Sequence, residues 1–524
     1  MITGITIENF KGIREPIRIG IKPITLLFGP NSAGKSTIIQ AIHYAREVIE
    51  RHNLNADQTI AGGKFVDMGG FRNFVHGRDM DRSIRLRFEI DLSEDELPTY
   101  ITHGGRLSAS EYEFPELSVA VHSATVAASV GWSESREALY VSDYSVDING
   151  LPLAKIDCSS DMRNVHLTEI NYRHPILPQS QTLEEIAQQA DEEAKATSSR
   201  APFRFSWWAI ENQQDALPVW GRALPLVTPD LNEHFDESIG IEGYIDTLVA
   251  ILSQLIVGPG ELLRDHLQSF RYLGPIRETP PRGYLPPKSP DASRWASGLA
   301  AWDSLANGTE VFVQKVSDWL AGPERLNTHY RVELRKHKKL DLADPLVRSL
   351  LSGRAFDEAD RTRLDLQKVP TETQVVLVSE DNQLDLLPSD VGIGISQILP
   401  VVVASTGDRD RLVLIEQPEL HVHPRIQAEL GDLFIETSVD GPHEYLIETH
   451  SEHLILRILR RIRETSKGKP HNGVAVTGEH VAVYYVNVEN EETRLRRIDI
   501  DKKGEFVQPW PDDFFEIDFY ERFA

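Results

Sequence analysis

Near its start the chain places a short β-rich run, Ile24-Thr-Leu-Leu-Phe28, directly before Gly29-Pro-Asn-Ser-Ala-Gly34-Lys35-Ser36-Thr37. No other feature limits the fold as tightly. The run satisfies G-x-x-x-x-G-K-[ST]; with glycine near 7% of residues, a chain of this length meets that pattern by chance on the order of 0.02 times. Behind it, Ile38, Ile42, Ala45 and Ile49 recur at helical spacing and fade at Arg51-His-Asn53. Strand, glycine-rich loop and helix in that order let backbone N–H groups and a helix N-terminus present positive potential to phosphates. In such a loop Lys35 reaches the β- and γ-phosphates and the Ser36 hydroxyl ligates Mg²⁺. Gly29, Asn31, Ser32, Ala33, Gly34 and Thr37 complete the candidate nucleotide loop.

The rest of the chain says what this unit is built into. Residues 84–90 alternate, with Ile84, Leu86, Phe88 and Ile90 on one face. Further strands are expected near 117–132 and 138–156, the latter folded back at Asn149-Gly150. Residues 181–198 are acidic and helix-prone, and helical spacing recurs near 241–270 and 296–320, separated by the proline-rich Gly274–Pro287. From about 375 strand and helix alternate again: Val375–Val378, a helix from Ser396, Leu412–Ile415, a helix from Pro424, Tyr445–Ile447, and a helix from Ser451 to about Arg463. Such alternation implies a parallel sheet covered by helices. The expected organisation is therefore one α/β core split in sequence. Residues 1–160 hold its first part, 161–370 a mainly helical insertion, 371–490 its second part, and 491–524 a tail.

Composition narrows the function. Lys and Arg number 55 against 80 Asp and Glu, a net charge of −25. Binding to a polyanion relies on basic side chains neutralising phosphates, so this balance disfavours nucleic acid as a general partner. The single cysteine, Cys158, excludes an intrachain disulfide and a cysteine zinc site, and suits a reducing cytoplasm. No signal pattern opens the chain, and no run of about 18 apolar residues is evident, so a cytoplasmic protein without a membrane span is expected.

Three later segments carry polar groups at element ends. Leu412-Val-Leu-Ile-Glu416-Gln417-Pro-Glu419 is an apolar strand ending in acids, the arrangement that positions a carboxylate near a P-loop metal. A second strand ends in Glu448-Thr-His450-Ser451, and Asp390-Val-Gly392-Ile-Gly394-Ile-Ser396-Gln397 opens a helix. Taken singly, the last two also fit a structural turn and a polar cap.

In this order the segments resemble those of the ABC/SMC-RecF superfamily of ATPases, and in particular the OLD-type AAA ATPases of bacteria, in a subgroup without a Toprim nuclease domain. Ile7-Glu-Asn-Phe-Lys-Gly12, the P-loop, Tyr272-Leu-Gly-Pro-Ile-Arg277-Glu278, Gln417–Pro424, Glu448–Ser451 and Trp510–Phe515 carry the resemblance. It implies an ABC-type head, a parallel or mixed sheet with an antiparallel β subdomain, binding ATP with Mg²⁺. Ser36 and Glu416 would serve the metal. Gly392, Gly394 and Ser396 would meet the γ-phosphate held by a second subunit, with His450 as the switch histidine, so a homodimer or higher homo-oligomer closing around ATP is implied. Leu420–His423 would face that partner; His421 and His423 also read as metal ligands lacking a third. Two positions depart from the pattern. Gln417 stands where the catalytic base is usual and cannot accept a proton as a carboxylate does. It could still orient water, with Glu419 the candidate substitute base; hydrolysis is then expected to be slow, with ATP acting chiefly as a conformational clamp. Gly392 stands where serine is usual. The functions implied are a sensor and switch in anti-phage defence with a separate nuclease or toxin effector, a RecF-like ATPase clamping DNA, or an ATP-locked scaffold.

Other runs read as structural first. Arg335-Lys-His-Lys-Lys339 is a solvated strand or a nucleic-acid contact. Arg457, Arg460, Arg461 and Arg463 are the outer face of an amphipathic helix. Trp207-Trp208, with Phe203 and Phe205, is core packing of the insertion or a stacking platform or partner patch, and Trp510 through Tyr520 is a docked tail or a partner-binding segment.

Overall fold

A computed structural model describes residues 1–54, 69–100, 117–178, 204–227, 241–287, 292–343, 345–353, 355, 369–407 and 412–511. The acidic stretch 181–198, Phe203, the acids at 357–360 and the aromatic residues from Phe514 to Tyr520 lie outside them. The chain divides into two compact units. One gathers the described residues up to Phe270 together with Val481–Asp499; the other gathers those from Arg271 to His480 and from Ile500 onward.

In the first unit, β1 (Ile2–Glu8), β2 (Ile17–Gly20), β4 (Ile84–Asp91), β5 (Ser123–Ser133), β6 (Ala138–Ile148), β7 (Leu151–Cys158), β8 (Val165–Ile170), β9 (Arg204–Ile210) and β10 (Leu226–Val227) form one sheet. Its order is β10-β9-β8-β7-β6-β5-β4-β1-β2, antiparallel throughout. The alternation read at 84–90 is the burial alternation of β4, since successive side chains point to opposite faces. Asn149 and Gly150 turn β6 into β7 with positive φ at both positions, which Asn-Gly tolerates best. The sheet extends past residue 160: Trp208 on β9 is 4% exposed, and its indole donates to the Tyr172 hydroxyl at 3.0 Å. That is the core-packing reading of this tryptophan.

Buried β3 (Ile24–Phe28) stands apart from that sheet and pairs in parallel with Val481–Glu489, which turns back antiparallel into Glu492–Ile498. Helix α1 (Lys35–Arg51) leaves the loop after β3 and packs on helix α2 (Ile241–Ser269). Among the described residues one segment, Thr247–Ser269 of α2, has the length and hydropathy of a membrane span, a property the sequence reading does not single out. In this structure 72% of that window is buried. Leu252, Leu255, Leu263 and Leu267 are fully covered, and the Ile256 carbonyl accepts a hydrogen bond from Tyr144. Its apolar character is what a core helix needs.

In the second unit, β11 (Arg271–Leu273), β15 (Leu412–Glu416) and β16 (Glu444–Glu448) run parallel in that spatial order. Helices α3 (Leu299–Asn307), α4 (Glu310–Ala321), α5 (Ile393–Thr406), α6 (Pro424–Ser438) and α7 (Glu452–Ser466) belong to the same unit. From Ser396 onward every residue of α5 is buried, so its apolar sequence is a core sequence. A separate antiparallel sheet joins β12 (Tyr330–Lys338), β13 (Thr371–Ser379) and β14 (Asp385–Leu386). The chain is thus α/β, with the strand and helix alternation expected from 375 onward.

Basic residues read from sequence are largely engaged. On β12, Arg335 donates to both oxygens of Asp385 at 2.7 and 2.9 Å and also pairs with Glu333, while Lys339 pairs with Glu372 at 2.7 Å. On α7, Arg457 pairs with Glu429 and Asp432, Arg461 with Asp432 and Glu464, and Arg460 with Glu464.

Candidate functional site

The first unit presents the nucleotide loop. Gly29 has φ +142°, Ser32 +62° and Gly34 +106°, reversals of the kind that turn successive N–H groups around an anion. At Gly29 a side chain is excluded on two grounds: the positive φ, and a Cβ that would lie 2.0 Å from the Val486 carbonyl oxygen. At Gly34 a Cβ would lie 2.6 Å from Thr493 Oγ1. That threonine donates its hydroxyl to the Ala33 carbonyl at 3.3 Å, so the distant 481–498 hairpin props the loop from behind. Asn31 and Ser32 are exposed, Ser36 and Thr37 half-buried, and Ala33 buried. Lys35 is 3% exposed, with Nζ donating to the Gly29 and Pro30 carbonyls at 2.9 Å each. Helix α1 begins at Lys35 with no side-chain cap and no acidic residue in its first turn. A helix N-terminus left in that condition suits a phosphate as its cap. The loop thus fits a nucleotide's phosphates by the chemistry and shape of its own backbone.

The second unit gathers the acidic groups. Glu416, at the end of β15 and 7% exposed, accepts a hydrogen bond on Oε1 from the Tyr272 hydroxyl at 2.8 Å. The parallel register sets Glu416 beside Glu448 at the end of β16. Gln417 follows with φ +45°, its N–H donating to the Glu448 carbonyl at 2.8 Å. Glu419 receives the His450 backbone N–H on Oε1 at 2.7 Å and the Thr449 hydroxyl on Oε2 at 2.9 Å. The structure therefore brings Glu416, Gln417, Glu419 and His450 onto adjoining strand ends. Burial pushes the Glu419 pKa above the usual carboxylate value, against the pull of its hydrogen bonds and of the nearby Arg277 charge. Burial also raises the Tyr272 pKa, with the Glu416 charge adding to it.

Gly392 caps the start of α5 and is exposed, as is Ile393. Like α1, α5 has no side-chain cap and no acidic residue in its first turn. Ser396, in contrast, is 1% exposed, its hydroxyl donating inward to the Pro388 carbonyl at 3.4 Å. The Gly394 Cα lies close under the loop after β15, where a Cβ would come within 2.9 Å of the His421 carbonyl. His423 caps α6, its Nδ1 accepting the Arg425 N–H at 3.2 Å, and His421 is exposed with φ +60°. Among the described residues no group of three or more His, Cys, Asp or Glu side chains is arranged to hold a metal ion.

Sequence reasoning assigned no role to Tyr272, Arg277, Gln397 or Thr493. Arg277 is 2% exposed, and its guanidinium donates to the Glu416 carbonyl at 2.7 Å and to those of Gln397 and Gln417 at 3.4–3.5 Å. Burial lowers its pKa to about 10, partly offset by Glu419, Tyr272 and Glu416. The first two belong to a segment that carried the resemblance, which was the available signal; Thr493 gave none.

Comparison with known proteins agrees with these features. The family described as AAA ATPase domain matches residues 1–91 and 325–455, taking in both the loop and the acidic strand. The DNA replication and repair protein RecF of Chlorobium phaeobacteroides (strain BS1) is 28% identical over 127 residues, 22% of this chain and 33% of RecF. The chain thus spans about a third of the length of that relative. Superposition on an SMC head bound to the C-terminal winged-helix domain of ScpA gives a TM-score of 0.39 at 9% identity, covering 96% of this chain and 98% of that one. The SMC head domain from Thermotoga maritima gives 0.36 at 9% identity, covering 95% and 99%. By the family model and the RecF match, the chain is similar to the P-loop ATPases of the ABC/SMC-RecF superfamily. The similarity to the AAA ATPase domain is split between the two matched stretches.

Proposed function

We propose that the chain is an ATP-binding, slowly hydrolysing ATPase of the OLD-like subgroup, closing as a homodimer around ATP in the cytoplasm. It would act as the sensor and switch of an anti-phage system whose nuclease or toxin is a separate protein. The observation that carries the nucleotide part is the loop at Gly29–Thr37, with backbone reversals only glycine tolerates at its ends and an uncapped helix behind it. Subgroup, defence role and effector rest on the family resemblance.

Bound Mg²⁺–ATP would supply a polarised γ-phosphate; the protein's residues hold and orient it. Lys35 would exchange its two loop carbonyls for phosphate oxygens, and the resemblance gives Ser36 and Glu416 as the residues that would serve the metal. Glu419, whose raised pKa makes it a stronger base than an exposed glutamate, accepts the proton of the attacking water. Gln417 has an amide in the usual base position and is left to orient that water. His450 would sense the γ-phosphate, its backbone fixed by Glu419. With Ser396 turned inward, the backbone of Gly392 and Gly394 would meet the nucleotide of the second subunit.

Lys35→Ala is expected to abolish ATP binding in calorimetry, and Glu419→Gln to retain binding while stopping phosphate release. If Lys35→Ala binds ATP as the wild type does, the nucleotide reading is wrong. The RecF match favours a second reading, a DNA-maintenance ATPase. It requires DNA binding that weakens steeply with salt and is lost when Arg335, Lys336, Lys338 and Lys339 are changed together.

A further inference from the structure

The segment Tyr272–Arg277 carries no role in the function proposed above. Parallel pairing sets Tyr272 beside Leu414 and Leu273 beside Ile415. The chain then turns at Gly274, where a Cβ would come within 2.8 Å of the Ala296 carbonyl, and delivers Arg277 across the end of β15. The backbone N–H of Arg277 donates to Gln397 Oε1 at 3.1 Å, and Gln397 Nε2 donates back to the Arg277 carbonyl at 2.6 Å. Gln397 is 4% exposed and stands one turn inside α5 from Gly392 and Gly394. One residue therefore ties helix α5 to the acidic turn 416–419.

Stability alone does not account for an arginine here. Its side-chain partners are carbonyl oxygens, so the guanidinium is desolvated without a carboxylate in direct contact. An apolar chain of similar volume would fill the space without that penalty. The fork does suit holding two consecutive carbonyls at once. Those carbonyls belong to Glu416 and to Gln417, the residue at φ +45°, a conformation that persists where surroundings fix it.

We propose that Arg277 is a positioning residue for the ATPase reaction, setting the acidic turn 416–419 according to where the Gly392–Gly394 turn sits, through Gln397 and the Glu416 and Gln417 carbonyls. The inference rests on the ATPase reading above. A shift of α5 passes through the reciprocal amide pair to the guanidinium, and from it to the strand end that bears Glu416, Gln417 and Glu419. The phosphate loop supplies none of these bonds, so ATP affinity and turnover separate.

The test compares wild type, Arg277→Gln, Arg277→Lys, Gln397→Ala and the double variant Arg277→Gln/Gln397→Ala. The measurements are ATP affinity, phosphate release at saturating Mg²⁺–ATP, and thermal midpoint. Arg277→Gln and Gln397→Ala should lower kcat about 10- to 100-fold while ATP Kd stays within about twofold, the pattern of impaired orientation with binding intact. Arg277→Lys should not restore turnover, because an ammonium keeps the charge but not the fork. The double variant should lose no more than Arg277→Gln alone, since both act on one connection. Unchanged kcat in either single variant, full rescue by lysine, or additive losses would overturn the proposal. Should Arg277→Gln lose its cooperative melt, Gln397→Ala, which keeps the arginine, decides. A wild type that binds ATP but releases no phosphate removes the ATPase reading and this inference with it. A wild type that turns over alongside variants equal to it removes the inference alone.

Discussion

Replacing Gly29 by alanine puts the geometry of the nucleotide loop under direct load. At φ +142° an alanine carries about 1–3 kcal/mol of backbone strain. Its Cβ would also lie 2.0 Å from the Val486 carbonyl oxygen and 3.0 Å from the carbonyl carbon. No rotamer relieves a contact with backbone, and Val486 is held in register with Leu495. Forcing loop and strand apart adds about 1–3 kcal/mol, the usual penalty of overpacking. The sum is about 4 kcal/mol, which for a unit of this size lowers the thermal midpoint by about 8 °C. Because displacement falls on the phosphate-facing N–H groups, ATP Kd should rise about 10- to 100-fold. Gly150→Ala is the matched control: φ is +78° but no heavy atom lies within 4 Å of the added carbon. It bears only the conformational part, about 1 kcal/mol and about 2 °C. Scanning calorimetry with and without Mg²⁺–ATP reads both effects. If the two variants melt together and bind ATP equally, the contact with Val486 does not shape the loop and the reasoning fails.

Further perturbations probe the rest of the site and its support. Glu419→Gln should raise the thermal midpoint near neutral pH while turnover stops: with its folded pKa raised, the wild type gains stability as pH falls through that value. The advantage of the variant should therefore shrink as pH falls toward the ordinary carboxylate value of about 4, and a difference that stays constant with pH would contradict the assigned desolvation. Thr493→Val removes the hydroxyl that supports the Ala33 carbonyl and should cost about 1 kcal/mol in denaturant unfolding, with a weaker ATP Kd. Asp432→Asn leaves Arg457 and Arg461 with only Glu429 and Glu464. Urea titration should show a loss of about 2 kcal/mol, less than the 3–5 typical of a stranded buried charge; no loss would mean the cluster is not coupled.

How much of this was legible in the sequence follows the range of the forces involved. The loop at Gly29–Thr37 is local: its glycines, its lysine and the helix behind it are read from adjacent residues, because turn chemistry and helix periodicity are short-range. The same holds for β4, for the Asn149-Gly150 hairpin and for the strand and helix series from Leu412 to Arg463. What the sequence did not reveal joins distant segments. Arg277 meets the strand end of residue 416 through parallel pairing of β11 with β15, and periodicity does not specify which strands become neighbours. Thr493 reaches Ala33 only because β3 takes residues 481–489 as its partner. Residues 241–270 were legible as a helix by their spacing; that 247–269 is an apolar core helix came from what packs around it.

Charge shows the same division between composition and arrangement. A balance of −25 weighs against a polyanion partner, yet the segment 335–339 kept that partner open on composition alone. Antiparallel pairing decides how much of that segment is spare, for β12 carries Arg335 past Asp385 and Glu333 and brings Lys339 to Glu372. A phosphate bound there would first have to break ion pairs, which are exposed and individually worth about 1 kcal/mol or less. The electrostatic gain left for nucleic acid is therefore reduced but not removed. Its measure is the slope of log affinity against log salt, whose steepness on duplex DNA is about 0.9 for each phosphate that the protein neutralises. Under the DNA-maintenance reading, charge removal at Arg335, Lys336, Lys338 and Lys339 flattens that slope. Under the protein-facing switch it leaves a slope that was already shallow.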